Sequence, residues 1–418
     1  MKRLAAPKVA AGAVVVVIKC KISTQGCCVN AFLSIFILVF VSFFALNIHA
    51  AVLPQESVEV LYHEYSGDNV TVSGPSVLVR KNIKDKVSVW GNYYVDNVTS
   101  ASVDVVTQGS AYTEQRKQNS VGFDVLNDRS TFSLSYTRSI ESDYDATSVS
   151  IGVSQDFFGD LTTLSLGYTY GDDIVTRNSD SAAQNSFSDV ANRNRFNVAL
   201  TQILTKNWVV SLNSETVIDD GFLNNPYRSI RFLRADGTEG SEPENYPRTR
   251  NSDALALRSM YYLPYRAAIR FEHRAYTDSW GIEGDNTEVR YIHPYNDKWV
   301  FEGRVRAASQ GQASFYSDLF LTPAAEGDFR ARDKELSQFS SILLGFGVTY
   351  EFKSRYLSRL DKTTVNFFYD RMQFKYDNFR DARQSRSING EPPSSATGQE
   401  DLFQLDANVF RVFLSAWY

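Results

Sequence analysis

Cysteine is nearly absent: the 418 residues hold three, Cys20, Cys27 and Cys28, all close to the amino end. The rest of the chain therefore has no disulfide framework, no cysteine-ligated zinc or iron–sulfur centre and no covalent haem attachment. Histidine is almost as scarce, and beyond residue 50 only His63, His273 and His293 remain. On the strand register that the apolar alternation implies, His63 faces one way and the other two face the opposite way. No Ser–His or Asp–His catalytic arrangement can be assembled from that spacing, so the expectation is no enzyme, no cofactor and no metal. Asp172-Asp173 and Asp219-Asp220 read as solvated acids rather than ligands. No long apolar run follows Leu46, which excludes a helical membrane protein, and no Gly-rich phosphate loop is present. The formal charge is −5, which argues against nucleic acid as a partner.

What is present begins with an export signature. Lys2, Arg3, Lys8, Lys19 and Lys21 form a basic stretch without an acid, and Ala31 to Leu46 (AFLSIFILVFVSFFAL) is an apolar core ahead of Ala50. Residues 1–50 are expected to be a cleaved signal peptide, leaving 51–418 more acidic than the whole chain. That remainder is only modestly hydrophobic, with 43% apolar residues over the full sequence, yet aromatics reach 13% and include 23 Tyr. Strands that are apolar on one face, with rings at the edges, have this composition.

Period-two alternation then runs along the chain. Val58, Val60 and Tyr62 share a face, as do Val87, Val89, Gly91 and Tyr93 after the two-residue turn Lys84-Asp85. Val121 and Phe123 pass through Asn127-Asp128-Arg129 to Phe132, Leu134 and Tyr136, and Phe158-Gly159-Asp160 turns Val149, Ile151 and Val153 into Leu164, Leu166 and Tyr168. Such short connections join only antiparallel neighbours. Longer polar stretches separate the pairs, among them Gly171 to Asn192, Asp220 to Thr249 and Ala308 to Glu335. About sixteen strands are predicted, with short turns at one end and long loops at the other. That is the pattern of an all-β, transmembrane antiparallel barrel with short periplasmic turns and long extracellular loops.

The end of the chain resembles the terminal strand by which bacterial outer-membrane barrels are recognised and closed: Phe410, Val412, Leu414, Ala416 and Tyr418 form an apolar stripe ending in an aromatic. The expected location is the outer membrane of a Gram-negative bacterium. Its lipid and lipopolysaccharide would be one partner, and the barrel-assembly machinery, through this strand, another.

If the apolar sets face lipid, the alternate sets face the lumen. Between Ser252 and Ala307 that set contains Arg258, Arg270, Glu272, Arg274, Glu288, Arg290, Glu302, Arg304 and Arg306, a charged wall. Between Gln115 and Leu204 it contains Ser133, Ser135, Ser148, Ser150, Gly152, Ser154, Ser165, Gly167, Thr169, Asn197 and Thr201, small and mostly neutral. Charge ladders of this kind set selectivity in pores. The segment from Phe222 to Arg234 is too apolar for a solvated loop, which makes Arg228, Arg231 and Arg234 candidate constriction residues. The plainer reading is a hairpin continuing the strands beyond the membrane.

Several runs resemble an uncharacterised family of Gram-negative outer-membrane proteins known only as a domain of unknown function. They are Asp68 to Asn82 (DNVTVSGPSVLVRKN), Asn92 to Asp96 (NYYVD), Ser100 to Thr107 (SASVDVVT), Ser154 to Thr163 (SQDFFGDLTT) and Asn224 to Ser229 (NNPYRS). The resemblance implies no catalytic residues. It implies a cell-envelope setting in which a small lipoprotein and a thioredoxin-fold protein are encoded nearby. Two functions are expected as alternatives: a passive or loop-gated channel for small polar solutes, or a non-conducting scaffold around an envelope lipoprotein or redox partner. Arg270, Arg274, Arg290, Arg304 and Arg306 would line the path in the first and be neutralised in salt bridges or partner contacts in the second.

Overall fold

The structure is a computed structural model describing residues 52–100, 112–177, 187–352, 360–387 and 392–418. The expected signal peptide lies outside the described residues. The chain beyond it has the all-β fold that the alternation predicts.

Ser57–Gly67 (β1), Val70–Ile83 (β2), Val87–Ser100 (β3) and Tyr112–Asn127 (β4) open the sheet. Ser130–Ile140 (β5), Tyr144–Phe157 (β6), Thr162–Arg177 (β7), Phe187–Thr205 (β8) and Trp208–Gly221 (β9) continue it. A separate hairpin comes next, Ser229–Leu233 (β10) and Glu239–Pro243 (β11). Thr249–Tyr262 (β12), Ala268–Asp278 (β13), Glu283–Tyr295 (β14) and Trp299–Gln310 (β15) resume the sheet, and Phe339–Phe352 (β16), Lys362–Arg380 (β17) and Leu402–Trp417 (β18) finish it. Each barrel strand pairs with its sequence neighbour, β9 pairs with β12 across the hairpin, and β18 pairs with β1, closing sixteen strands into one antiparallel barrel. Closure removes the sheet edges that would otherwise template further pairing.

Turn chemistry fixes the register. Lys84 and Asp85 both adopt positive φ (53° and 54°), as do Asp68 and Asn69 (48° and 55°). That is the twist a two-residue hairpin requires. With up-and-down topology, the connections 222–248, 311–338 and 381–401 all open at one end of the barrel, here termed the loop end. Three connections there are short: Asp68-Asn69, residues 141–143 and residues 279–282. The other end carries tight turns such as Asp128-Arg129 and Lys206-Asn207.

Strands also run beyond the apolar pattern. The stretch from Gly171 to Asn192, expected to be loop, is strand on both flanks, with Asp172 opposite Asn192 and Val175 opposite Asp189. Backbone pairing does not depend on apolar side chains, so alternation marks only the part of each strand inside the apolar belt. That belt is exposed and continuous: Val60, Val89, Phe123, Leu134, Ile151, Val198, Leu212, Leu257, Phe271, Val289, Val305, Leu344, Phe367 and Leu414 all point outward. Tyr62, Tyr93, Tyr136, Tyr170 and Tyr369 rim its loop side, and Trp208, Tyr261, Tyr295 and Trp299 its turn side. Tyr418 lies just past β18, where its hydroxyl donates to the Arg80 carbonyl at 3.1 Å and Lys81 Nζ stands 4.8 Å from its ring centre.

Candidate functional site: a lined lumen under a cap

The inner face of β12 to β18 is a chain of ion pairs. Arg258 and Arg270 both donate to Glu272, each at 2.7 Å. Arg290 bridges Glu288 at 2.8 Å and Glu302 at 3.0 Å. Arg304 reaches Asp370 with Nε at 2.8 Å and a second nitrogen, and Arg411 meets the same carboxylate at 2.8 Å. Arg274 lies 3.4 Å from Glu215, which also has Arg195 at 3.8 Å. Among the described residues, Arg306 has no ion-pair partner. Asp370, Arg411 and Glu215 escape the sequence reading only because the inward parity rule stops short of β9, β17 and β18, whereas Arg195 on β8 shares the parity of Asn197 and Thr201 and is passed over in a wall read as small and neutral. Asp370 is adjacent to outward Tyr369, as Arg411 is to Val412, so the same rule finds both.

Arg304 and Asp370 lie on β15 and β17, with β16 between them. They meet because the intervening residue is Gly345, opposite Arg304 on one side and Asp370 on the other. A Cβ there would lie 2.2 Å from Asp370 Oδ1 and 2.6 Å from Arg304 Cγ. Facing this charged sector, β5 to β8 present hydroxyls that satisfy one another, Ser150 with Thr169 and Ser154 with Ser165, both at 2.9 Å.

The described parts of the three long connections, 222–248, 311–338, 381–387 and 392–401, close over the charged sector. Residues 222–248 fold into the β10–β11 hairpin as a sheet of its own and do not prolong β9 and β12. Phe232 bridges to Phe320, and Asn245 to Arg330, joining this connection to the next. Beneath them Tyr246, Trp280, Tyr316, Leu336 and Phe379 form an apolar core against inward-facing Tyr376, Phe403 and Leu405. The molecule's main buried core thus lies within the loop-end mouth.

Charge is buried there as well. Arg231, 2% exposed, binds Asp318 and the fully buried Glu400 through its guanidinium, and its Nε donates to the Asp318 carbonyl at 3.0 Å. Arg332 stands on Asp318 at 3.0 Å with its guanidinium 4.6 Å from the Phe379 ring centre. One residue from each connection, Arg231, Asp318 and Glu400, therefore meets at a single point. Arg228 pairs with Asp333, and Arg234 sits exposed at the hairpin tip, donating to the Glu239 carbonyl at 2.5 Å. Of the three candidate constriction arginines, Arg231 is a tie between loops and does not face the lumen. The cap is fastened to the barrel by Asp68 in the β1–β2 turn, which has Lys334 at 3.3 Å and Arg383 at 3.7 Å.

The surroundings of Glu244 predict a pH dependence for the cap. Its carboxylate accepts from the Tyr246 hydroxyl and from the Arg332 backbone N–H, both at 2.7 Å. Burial first, then Asp333, push its carboxyl from 4.5 up to about 7, against the pull of Arg228. The closed cap retains a proton that an opened cap would release. Closure therefore gains up to about 3 kcal/mol below pH 4.5, and this gain is lost as pH rises to 7. Protease cleavage within the cap is expected to accelerate between pH 5 and pH 8, and Glu244→Gln should flatten that profile. A wild-type cleavage rate that does not change with pH would contradict this.

The histidines stay apart. His63 Nε2 lies 2.7 Å from Asp96 and 3.0 Å from the Tyr94 hydroxyl on the inner wall, whereas His273 and His293 face outward beside Thr287 and Tyr291. Among the described residues no three His, Cys, Asp or Glu side chains are grouped to hold a metal ion.

Distant structural likenesses include a bacterial polysaccharide outer membrane secretin, 7% identical over 88% of this chain and 100% of that one, TM-score 0.45. The CymD monoaromatic hydrocarbon channel is 9% identical over 87% and 88%, TM-score 0.41. A FadL homologue from Pseudomonas aeruginosa is 10% identical over 86% and 90%, TM-score 0.42. No curated protein matches the chain. The profile described as "Protein of unknown function (DUF3570)" matches residues 107–368, more than half of the sequence, and the chain belongs to that family.

Proposed function

We propose that the protein is an outer-membrane barrel that passes small polar solutes through a lumen narrowed at its loop end by the folded cap. One observation carries this: the same sixteen strands expose a continuous apolar belt outside and a polar, part-exposed wall inside. An apolar belt of that extent is incompatible with water and suits lipid, while solvated arginines and hydroxyls within suit a hydrated path. On this reading residues 1–50 direct export, and the stripe from Phe410 to Tyr418 is the assembly signal. No catalytic role is proposed, because His63 faces inward on β1 while His273 and His293 face outward on β13 and β14.

The second reading, a non-conducting scaffold for an envelope partner, is favoured by the pairing of Arg270, Arg274, Arg290 and Arg304 with carboxylates inside the wall. Planar-bilayer recording of the purified, detergent-solubilised protein separates the two. Discrete current steps are expected, and changing Arg270, Arg290 and Arg304 together to Ala should raise cation preference by leaving Glu272, Glu288 and Asp370 less compensated. Silence from protein whose gel mobility shows a folded barrel would overturn the channel and leave the scaffold.

A further inference from the structure

The cap covers the charged sector, and beside it the mouth holds a cavity of about 380 Å³. This cavity lies between the inner faces of β6 to β9 and the first residues of the 222–248 connection. The connection contributes the apolar Phe222, Leu223 and Pro226 together with Asn224 and Asn225. The barrel wall sets Val175 and Ala191 beside Asp173, Asp219 and the cation Arg193, and Glu141 and Asp143 of the β5–β6 connection add two more carboxylates. Arg193 is already held by Asp219 at 2.6 Å, and Asp173 accepts from the Tyr144 hydroxyl at 2.5 Å. The Glu141 and Asp143 side chains accept no hydrogen bond and form no ion pair among the described residues.

From this geometry we infer that the cavity is a binding site for a small organic cation, an ammonium group on an apolar body. The inference rests on the channel reading and gives it a substrate class. The volume is within the range of small-molecule sites. An anion would meet three carboxylates beyond the one that Arg193 neutralises. A metal ion would leave the apolar residues unused, and the acids are not grouped to ligate one. An alkyl or aryl ammonium ion satisfies both sets, the charge against Glu141 and Asp143 and the body against Phe222 and Pro226. Burial pushes the Glu141 carboxyl up, with Asp143 and Glu114 adding to the rise against the pull of Arg116, and a bound cation would relieve that cost. Directly below, inward Gly171, Thr169, Gly167 and Ser165 of β7 carry no charge, and Arg195, opposite Thr169 on β8, stands beside Glu215 at 3.8 Å.

The test is calorimetric titration of the full-length protein in detergent with 2-phenylethylammonium chloride, set against 3-phenylpropanoate and neutral 2-phenylethanol, each with a matched micelle blank. The ammonium probe should bind at least tenfold more tightly than either comparator. The Glu141→Gln/Asp143→Asn double variant should weaken it at least tenfold, and these two carboxylates can be changed without breaking a described ion pair. If the double variant fails to fold, Asp143→Asn alone carries the same expectation with a smaller loss. Equal binding of all three probes, or wild-type affinity in the folded variant, would overturn the site. Bilayer recording reads the two proposals apart: a conducting barrel without ammonium selectivity sinks the site alone, and a silent barrel that binds ammonium sinks the channel alone.

Discussion

Changing Arg231 to Met is expected to release the cap while leaving the barrel closed. Glu400, wholly buried, and Asp318, 9% exposed, would lose the guanidinium that joins them. Stranding buried carboxylates in this way costs about 3–5 kcal/mol, far more than an exposed ion pair contributes. Arg332 stays on Asp318, so the damage centres on Glu400, which retains a hydrogen bond from the Gly398 backbone N–H at 2.8 Å. Cleavage of a segment that opens and recloses quickly tracks its open population. Proteolysis within 222–248, 311–338 and 381–401 should therefore rise at least a hundredfold, while the barrel keeps its heat-modifiable mobility. If the cap narrows a conducting path, single-channel current rises in the same variant. A cleavage pattern identical to that of the wild type would show that the Arg231 cluster does not hold the connections together.

Gly345→Ala should destabilise the barrel itself, although it adds only one methyl group. The new Cβ would occupy the space in which Arg304 meets Asp370 over the back of β16. The bidentate contact must break, and Asp370, with a side chain 3% exposed, would keep only Arg411. A loss of about 3 kcal/mol is expected, seen as a lower urea midpoint for unfolding of the barrel refolded into detergent. Gly303→Ala, on the neighbouring strand with nothing within 4 Å of the added atom, serves as the control and should change the midpoint little. Equal midpoints for the two variants would refute the assigned role of Gly345.

The contrast between these two glycines shows how far the sequence could be read. Alternation locates each strand within the apolar belt, and the lumen-facing parity of Arg258, Arg270, Arg290 and Arg304 follows from it without further information. Which carboxylate each arginine meets does not follow. Arg304 crosses a whole strand to Asp370, and nothing local at Gly345 distinguishes it from outward-facing Gly303 except its parity. The cap was less legible still. Apolar residues such as Phe232 announce that the segment from Phe222 to Arg234 must be buried, but its partners lie near Asp318 and Glu400. Those come together only when curvature of the sheet gathers the loops of β9, β15 and β17 over one mouth. Strand ends such as those around Asp172 and Asn192 were hidden because they rise above the belt, where backbone pairing continues without an apolar signature.

Asp68 ties the start of the strand order to its end. It sits in the tight turn joining the first two strands of the barrel and meets Lys334 and Arg383, residues from the last quarter of the chain. An open sheet would hold the β1 edge away from the β18 edge, so these two contacts need the β1–β18 seam, whereas the Arg231 cluster among the loops does not. Asp68 is thereby a clasp that only the closed cylinder can fasten. A misregistered seam would displace Asp68 from Lys334 and Arg383 and leave this clasp unfastened, so the contact reports on the register of the finished wall.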